Sequence, residues 1–238
     1  MTQRLKCLVI GVACLLVTLP AAAANIVTDY PITVDTYMDG QSPTYNFGVS
    51  ASLKAVVNGN DGSKCHALIQ MPDLTAVNPA DVVSVVLRAK QSGSNTTGAL
   101  TIRFQPLTHG FVEGTGSNTA SGDGATWGTY DGTRAWTTSG GDYTTAVYAD
   151  PTESSTWWTW DITSFWNNSS LVANGGILIL NDESDPGVGN MPRCVFYSSD
   201  GTTGSTPYIE VTTVPEPASL VTLGLVALVG LVRRRHRG

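Results

Sequence analysis

Short runs of alternating apolar and polar residues recur along the chain, and each is bounded by turn residues such as Gly, Asn, Asp and Pro. Residues 82–90 alternate most clearly. In residues 156–163 the alternation places Trp158 and Trp160 on one face of an extended segment. Residues 176–180 lack polar positions, which predicts a strand buried on both faces. A period of two residues indicates β-strands, whereas helices repeat their apolar positions every three or four residues.

The pattern predicts nine strands, at 32–38, 52–57, 65–71, 82–90, 100–107, 156–163, 176–180, 193–199 and 208–213. One helical turn is predicted at 164–168. Residues 110–145 are rich in Gly, Ser, Thr and Asp without periodicity, and a loop of that length is usually functional or loosely ordered. Many short strands without long helices predict an all-β fold, and we expect a two-sheet antiparallel β-sandwich of jelly-roll type.

Composition supports a folded, secreted protein. Charged residues make up 13% of the chain, against a typical share of about 25%. Apolar residues make up 42%, and low charge with this apolar content argues against disorder. The 238 residues are enough for one sandwich with a buried core.

The N-terminus has the order of segments found in a signal peptide. Arg4 and Lys6 precede an apolar run at 7–19, and alanines follow at 21–24. This order predicts cleavage after Ala24. A membrane anchor is the alternative interpretation, but the run is shorter than the roughly 20 residues that cross a bilayer.

The C-terminus combines three features in order. Pro215, Glu216 and Pro217 precede an apolar stretch at 220–232, and a basic cluster of Arg233, Arg234, Arg235 and Arg237 follows. By itself this is a short transmembrane helix whose arginines stay in the cytoplasm. The tail resembles the bacterial PEP-CTERM sorting signal. The resemblance implies that an exosortase-type membrane protease removes the tail and releases the protein or attaches it to the cell surface, whereas a plain tail anchor predicts the same outward orientation.

We therefore expect a signal peptide at 1–24, one β-sandwich domain at 25–213 and a sorting tail at 214–238, which contacts the membrane before processing. Without both ends, seven basic and 18 acidic residues remain, which gives a net charge of −11. So acidic a domain lacks the positive surface that binds nucleic acids, and we expect no nucleic-acid partner.

Two of the four cysteines, Cys65 and Cys194, remain after signal-peptide removal. In an oxidising compartment their simplest state is one disulfide. The alternative is two buried thiols that pack as small apolar residues.

Short motifs lie in order across the predicted domain at 35–37 (Asp-Thr-Tyr), 43–48 (Pro-Thr-Tyr-Asn-Phe-Gly), 67–74, 82–89, 126–127, 136–143, 160–163 (Trp-Asp-Ile-Thr) and 207–211 (Pro-Tyr-Ile-Glu-Val). Together they resemble the DNRLRE domain. The resemblance implies a secreted β-sandwich related to carbohydrate-binding modules. The chain has Cys65-His66 and Tyr197 to Asp200 where that family tends to have basic residues, so the family's basic groups for anionic polysaccharides do not carry over.

The sequence contains no local motif for nucleophilic catalysis, and we assign no catalytic residue. Asp182, Glu183 and Asp185 are close together and offer the oxygen ligands that Ca²⁺ prefers. Solvated acids of a turn are the alternative interpretation, and we expect no required cofactor. Carboxylate pairs also leave a glycosidase as an alternative, because a sequence does not give carboxyl separations.

Aromatic residues in the long loop are the other candidate site. Trp158 and Trp160 alternate as core residues do, whereas Trp127, Tyr130, Trp136 and Tyr143 lie in the polar loop. Aromatic faces can stack on sugar rings. Each ring is equally consistent with packing the loop onto the sandwich.

These features favour an exported, non-catalytic carbohydrate-binding module with extracellular polysaccharide as its partner. A structural protein of the cell surface or biofilm matrix is the nearest alternative, and a glycan-active hydrolase or lyase is the third. We expect the protein at the bacterial cell surface or outside the cell, after transient membrane anchoring.

Overall fold

The computed structural model describes residues 24–95, 100–154, 156–184 and 186–215. The predicted signal peptide and sorting helix lie outside these ranges, as do Glu216, Pro217 and the arginine cluster. Within them, no helix combines the length and the apolar character that a membrane crossing needs.

The described residues form eleven strands with antiparallel pairing. The strands are β1 (Ile26–Pro31), β2 (Asp35–Asp39), β3 (Ser52–Val57), β4 (Lys64–Ile69), β5 (Val82–Asn95), β6 (Ile102–Pro106), β7 (Pro151–Ser154), β8 (Trp157–Asp161), β9 (Gly176–Leu180), β10 (Arg193–Tyr197) and β11 (Tyr208–Thr213). Among the described residues, the helices are a 3₁₀ turn at Pro79–Asp81 and α1 (Ser169–Asn174). The Asn168 side chain caps α1 by accepting from the Ser170 main-chain N–H. The all-β prediction is confirmed.

The strands belong to one curled sheet with the order β1-β11-β5-β10-β3-β4-β9-β6, while β2, β7 and β8 pair off this path. The long strand β5 connects the two halves, because its first part pairs with β8 and β11 and its last part pairs with β10. The chain is therefore sandwich-like, but the two predicted sheets are continuous through β5. A jelly-roll connection pattern stays a prediction.

The main core joins side chains from both halves of the sheet. Trp160 is fully buried, its ring centroid lies 5.8 Å from that of Phe196, and its Nε1–H donates to the Ile102 carbonyl oxygen at 2.6 Å. Trp158 is also buried in this core. The sequence-based assignment of both tryptophans to packing is confirmed.

A second apolar cluster lies on the other face of β4 and β9. In β9, Leu178 and Leu180 enter the main core, whereas Ile177 and Ile179 enter the second cluster. Met38 and Leu68 complete its strand side, and the long loop supplies Leu107, Ala125 and Trp136. The loop therefore covers part of the sheet, and β9 is buried on both faces as its apolar sequence predicts.

One buried amide organises much of this loop. The Asn46 Nδ2 group donates to the carbonyl oxygens of Glu113 at 2.7 Å and Ala125 at 2.9 Å. Its Oδ1 accepts from the main-chain N–H groups of Gly48 at 3.1 Å and Gly116 at 2.7 Å. The fully buried Asn46 side chain thus holds the start of the loop to the chain that follows β2.

The predicted disulfide is wrong, because Cys65 and Cys194 are both free and buried. Strand β3 separates them, with Cys194 opposite Ala55 and Cys65 opposite Val56. Two strand spacings place the Cα atoms about 9–10 Å apart, beyond the roughly 7 Å that a disulfide tolerates. Burial raises the pKa of both thiols to about 12, which suits the alternative of inert packing residues.

Candidate functional site

The outer face of β6 and β9 carries a cleft of about 240 Å³. Arg103 lies opposite Ile179 and Gln105 lies opposite Ile177 in the antiparallel register. Ile102 and Phe104 fill the main core, so alternation along β6 directs Arg103 and Gln105 to the opposite face. The cleft is lined by Arg103, Gln105, Tyr143, Thr145, Ile179, Leu180, Asn181 and Glu183.

Arg103 is held in a fixed position by its neighbours. Its Nε and Nη2 donate to the two carboxylate oxygens of Asp150 at 2.8 and 3.2 Å. The guanidinium carbon also lies 3.8 Å from the ring centroid of Tyr148. The hydrogen bonds that Arg103 donates to Asp150 raise the pKa of Arg103 above its ordinary value. Its charge is therefore balanced within the protein, and its planar group is oriented before a ligand arrives.

Glu183 is held on the other side of the cleft. Its Oε2 accepts from Lys64 Nζ at 3.1 Å, and its Oε1 lies 2.6 Å from His66 Nε2. The opposite ring nitrogen, Nδ1 of His66, lies 2.6 Å from the Gly140 carbonyl oxygen and donates to it, because a carbonyl oxygen only accepts. Burial raises the pKa of Glu183, but the bonds with His66 and Lys64 outweigh it, and the net shift is downward.

Gln105 and Tyr143 supply the cleft's neutral contacts. Gln105 is 4% exposed, and its Oε1 is buried without a hydrogen-bond partner among the described residues. Tyr143 is half-buried beside it, and its backbone pairs with Leu107. Burial and the charge of Glu183 raise the pKa of the Tyr143 hydroxyl, so this hydroxyl stays neutral at ordinary pH. An aromatic ring and a buried amide thus line the same cleft.

Two further clefts adjoin the central one. A cleft of about 420 Å³ shares Tyr143 and Thr145 with it and is also lined by Thr108, Thr137, Thr138, Gly141 and Asp142. The Asp142 carboxylate orders this end, because it accepts from the main-chain N–H groups of Thr137 and Thr138 at 2.7 Å each. On the other side, a cleft of about 320 Å³ shares Leu180 and Asn181 and is also lined by Leu100, Thr101, Asp182, Ser184, Pro186 and Pro192.

The four predicted loop aromatics divide between packing and this surface. Trp136 is 5% exposed and donates from Nε1 to the Thr126 carbonyl oxygen at 3.0 Å. The ring centroid of Tyr130 lies 5.5 Å from that of Trp136, and Trp127 packs 4.8 Å from the His66 ring. Of the four, Tyr143 belongs to the lining of these clefts, where it contributes to the central cleft and to the threonine-lined cleft.

In the described part of the chain, the predicted calcium ligands Asp182 and Glu183 bond to other side chains and main-chain groups and do not form a shared metal site. The Asp182 carboxylate accepts from the Ser184 main-chain N–H at 2.9 Å, which lowers its pKa, and Glu183 is engaged by Lys64 and His66. Asp185 lies outside the described residues. Among those described, no three His, Cys, Asp or Glu side chains form a group suited to a metal. Calcium binding stays a prediction.

Sequence reasoning missed Arg103, Gln105 and Asn181. The alternation of β6 contained a signal for Arg103 and Gln105. Because Ile102 and Phe104 are apolar and face the core, the polar residues that alternate with them are predicted to face outward. What the sequence did not indicate is which parts of that face the long loop leaves uncovered.

A separate pair of carboxylates lies outside the three clefts. Asp35 is fully buried, its Oδ2 accepts from the Ser199 main-chain N–H at 2.8 Å, and its Oδ1 has no partner among the described residues. Its own main-chain N–H donates to Glu113 Oε1 at 2.8 Å. Burial, with the charges of Glu113 and Asp200, raises the pKa of Asp35 to about 7. Because Asp35 has no exposed surface, the pair offers no substrate contact in this conformation.

Comparison with known proteins identifies the tail. A model of the PEP-CTERM protein-sorting motif matches residues 213–237, which include Pro215, Glu216, Pro217 and the arginine cluster. The predicted sorting signal is confirmed, and this motif implies an exported surface protein that is transiently anchored in the membrane and processed by exosortase-type machinery. The comparison with curated proteins finds no match. The resemblance of the preceding domain to DNRLRE domains gains no support from these matches.

Proposed function

We propose that the domain preceding the sorting tail is a non-catalytic carbohydrate-binding module and that the cleft around Arg103, Gln105 and Tyr143 holds a sugar ring. The observation that carries the proposal is an open cleft in which the half-buried ring of Tyr143 lies beside the polar side chains of Arg103 and Asn181. Ligand hydroxyls can bond these polar groups, while Tyr143 covers the apolar C–H face of the sugar.

The charges around the cleft favour a neutral ligand. Arg103 is paired with Asp150, and Glu183 is paired with Lys64 and His66. In the Arg103–Asp150 pair, the carboxylate already balances the one cation in the described lining of the central cleft, and the planar guanidinium remains to orient hydroxyls. The domain's overall charge of −11 also repels polyanions. Neutral glycans are therefore the preferred class, and uronate polymers are disfavoured unless a cation bridges the charges.

The sorting tail and the resemblance to DNRLRE domains are consistent with this role. Export places the domain where polysaccharides occur, and the resemblance implies a relation to carbohydrate-binding modules. A structural protein of the cell surface without a ligand site is the second candidate, because the same tail would deliver it to the same place. The two candidates differ in one measurable property, which is binding to any glycan.

The test is a glycan array probed with the full chain purified in detergent, followed by calorimetric titration of the glycans that bind. Tyr143→Ala should weaken binding by roughly 1–3 kcal/mol, a magnitude taken by analogy from base stacking. Tyr45→Ala is the matched control, because Tyr45 is an exposed tyrosine outside the three clefts. Absence of binding to every glycan would favour the structural candidate. If charge repulsion limits weak uronate binding, added salt should strengthen it.

A further inference from the structure

We propose that the three adjoining clefts form one groove that binds the interior of an extended, neutral polysaccharide chain, rather than a chain end. This inference rests on the proposed function and specifies the form of its ligand. The central cleft, around Tyr143, would hold one ring, and the flanking clefts would hold the preceding and following rings.

The clefts follow strand β6 in sequence. The first adjoins Leu100 and Thr101, the central one adjoins Arg103 and Gln105, and the last adjoins Thr108. With an extended rise of about 3.3 Å per residue, positions 100 to 108 span at most about 26 Å. That length is several times the width of one pyranose ring, so a single sugar would leave most of the groove unused.

Neighbouring clefts share walls, which makes the groove continuous. Tyr143 and Thr145 belong to both the central and the threonine-lined cleft, and Leu180 and Asn181 belong to both the central and the opposite cleft. A chain that crosses Tyr143 therefore enters the next cleft directly.

Neither end of the groove is closed by a buried wall. Thr108, Thr137 and Thr138 are exposed at one end, and Asp182 and Ser184 are exposed at the other. A site for a chain end needs a barrier beyond the terminal ring. Exposed side chains at both ends instead allow a chain to enter and leave.

The lining groups suit hydroxyls along the whole length. Threonine hydroxyls occupy one flank, and the Asn181 amide and Asp182 carboxylate occupy the other. Arg103 is the cation in the described lining of these clefts, and Asp150 already pairs with it. A chain of uronates would bring one charge per ring to a groove that offers no unpaired cation among these residues.

The test uses neutral oligosaccharide series from disaccharide to heptasaccharide, with gluco-, xylo-, manno- and chito-oligosaccharides as probes of the full chain. In the series that binds, affinity should rise at least about tenfold from disaccharide to pentasaccharide, which corresponds to two added hydrogen bonds of ordinary strength. Borohydride reduction of the end sugar of the heptasaccharide should leave its affinity unchanged. Glycan binding with full affinity at the disaccharide, or loss of affinity on reduction, would overturn this inference and leave the proposed function intact.

Variants at the flanks separate the two claims further. Thr138→Val and Asp182→Ala should each weaken heptasaccharide binding several-fold and leave disaccharide binding unchanged, because both residues line a flanking cleft and not the central one. Tyr143→Ala should weaken the binding of both probes. Tyr45→Ala serves as the control, and thermal melts confirm that each variant is folded. Equal losses for short and long probes at both flanks would contradict the extended groove. No binding of any probe or polysaccharide would overturn the proposed function together with this inference.

Discussion

The indole of Trp136 closes the second apolar cluster beneath the long loop. Because it is 5% exposed and its Nε1–H is bonded to Thr126, Trp136→Ala should leave a cavity and an unpaired carbonyl oxygen. We expect a loss of about 3–5 kcal/mol in the free energy of unfolding, measured by denaturant titration. Glycan affinity of the variant that remains folded should be unchanged.

Trp157→Ala is the matched control for that change. Trp157 is half-buried on β8, where its ring contacts Tyr208 and Lys90 on the sheet surface, so its removal should cost less stability. If Trp136→Ala kept its stability but bound glycan more weakly, the result would contradict the packing role and indicate that Trp136 contacts the glycan.

Asp35 gives the molecule a pH-dependent stability. Its pKa is about 7 in the folded state against 3.8 for the unperturbed group, so the folded state keeps a proton that the unfolded chain has already released. Stability from this group is complete below about pH 4 and is lost as the pH rises to about 7. A shift of this size corresponds to about 4 kcal/mol. Glu113, whose pKa burial also raises, acts in the same direction.

Asp35→Asn should therefore stabilise the protein relative to wild type by an amount that grows from pH 5 to pH 8, as measured by urea unfolding at each pH. Asp61→Asn is the control, because Asp61 is exposed and its pKa is lowered by bonds from Ser63. A constant difference between Asp35→Asn and wild type across this range would show that Asp35 is charged throughout.

Individual residues were predictable when alternation alone decided their role. Trp158 and Trp160 were assigned to the core because they alternate within a strand. The loop aromatics lacked such a pattern. Whether Trp136 packs or binds depends on Met38, Leu68 and Ile177, which form an apolar outer face far away in sequence.

Among the strands, sequence prediction succeeded where apolar positions repeat. β3, β9 and β11 begin and end at the predicted residues. β1 was missed because nearly all of its side chains are exposed and its sequence lacks alternation, and β7 was missed because it is short and begins with a proline. The predicted helical turn at 164–168 forms turns, and α1 begins directly after it, at Ser169.

Strand pairing was the part of the fold that local patterns did not contain. β4 pairs with β2, β3 and β9, and β9 follows β4 by about a hundred residues of chain. The disulfide prediction failed for this reason, since it required β4 and β10 to be neighbours. The groove was likewise not predictable, because it needs β6, β9 and the loop around Tyr143 to meet.

At the scale of the whole molecule, the predicted signal peptide and the sorting motif both join the domain at one edge. β1 pairs antiparallel with β11, and Ile26 lies opposite Thr213. The predicted cleavage site after Ala24 directly precedes β1, and the matched sorting motif begins at residue 213. During transient anchoring the domain is therefore tethered through the β1–β11 edge, whereas the groove lies on β6 and β9 at the other end of the sheet order. The proposed groove and the tethered edge are therefore formed by different strands.

For the whole molecule, we predict that proteases remove a segment from each end of the chain. Protein recovered from an exosortase-competent cell should have an intact mass that lacks residues 1–24 and the arginine cluster, because the signal peptide and the sorting tail both direct proteolysis. Glu216→Ala, which changes the Pro-Glu-Pro segment and leaves the apolar stretch and arginines intact, should keep its tail and stay in the membrane fraction. Thr203→Ala is the control at an exposed position outside the matched motif. Wild-type protein that keeps Arg233, Arg234 and Arg235 in such a cell would contradict removal of the tail and indicate a plain membrane anchor.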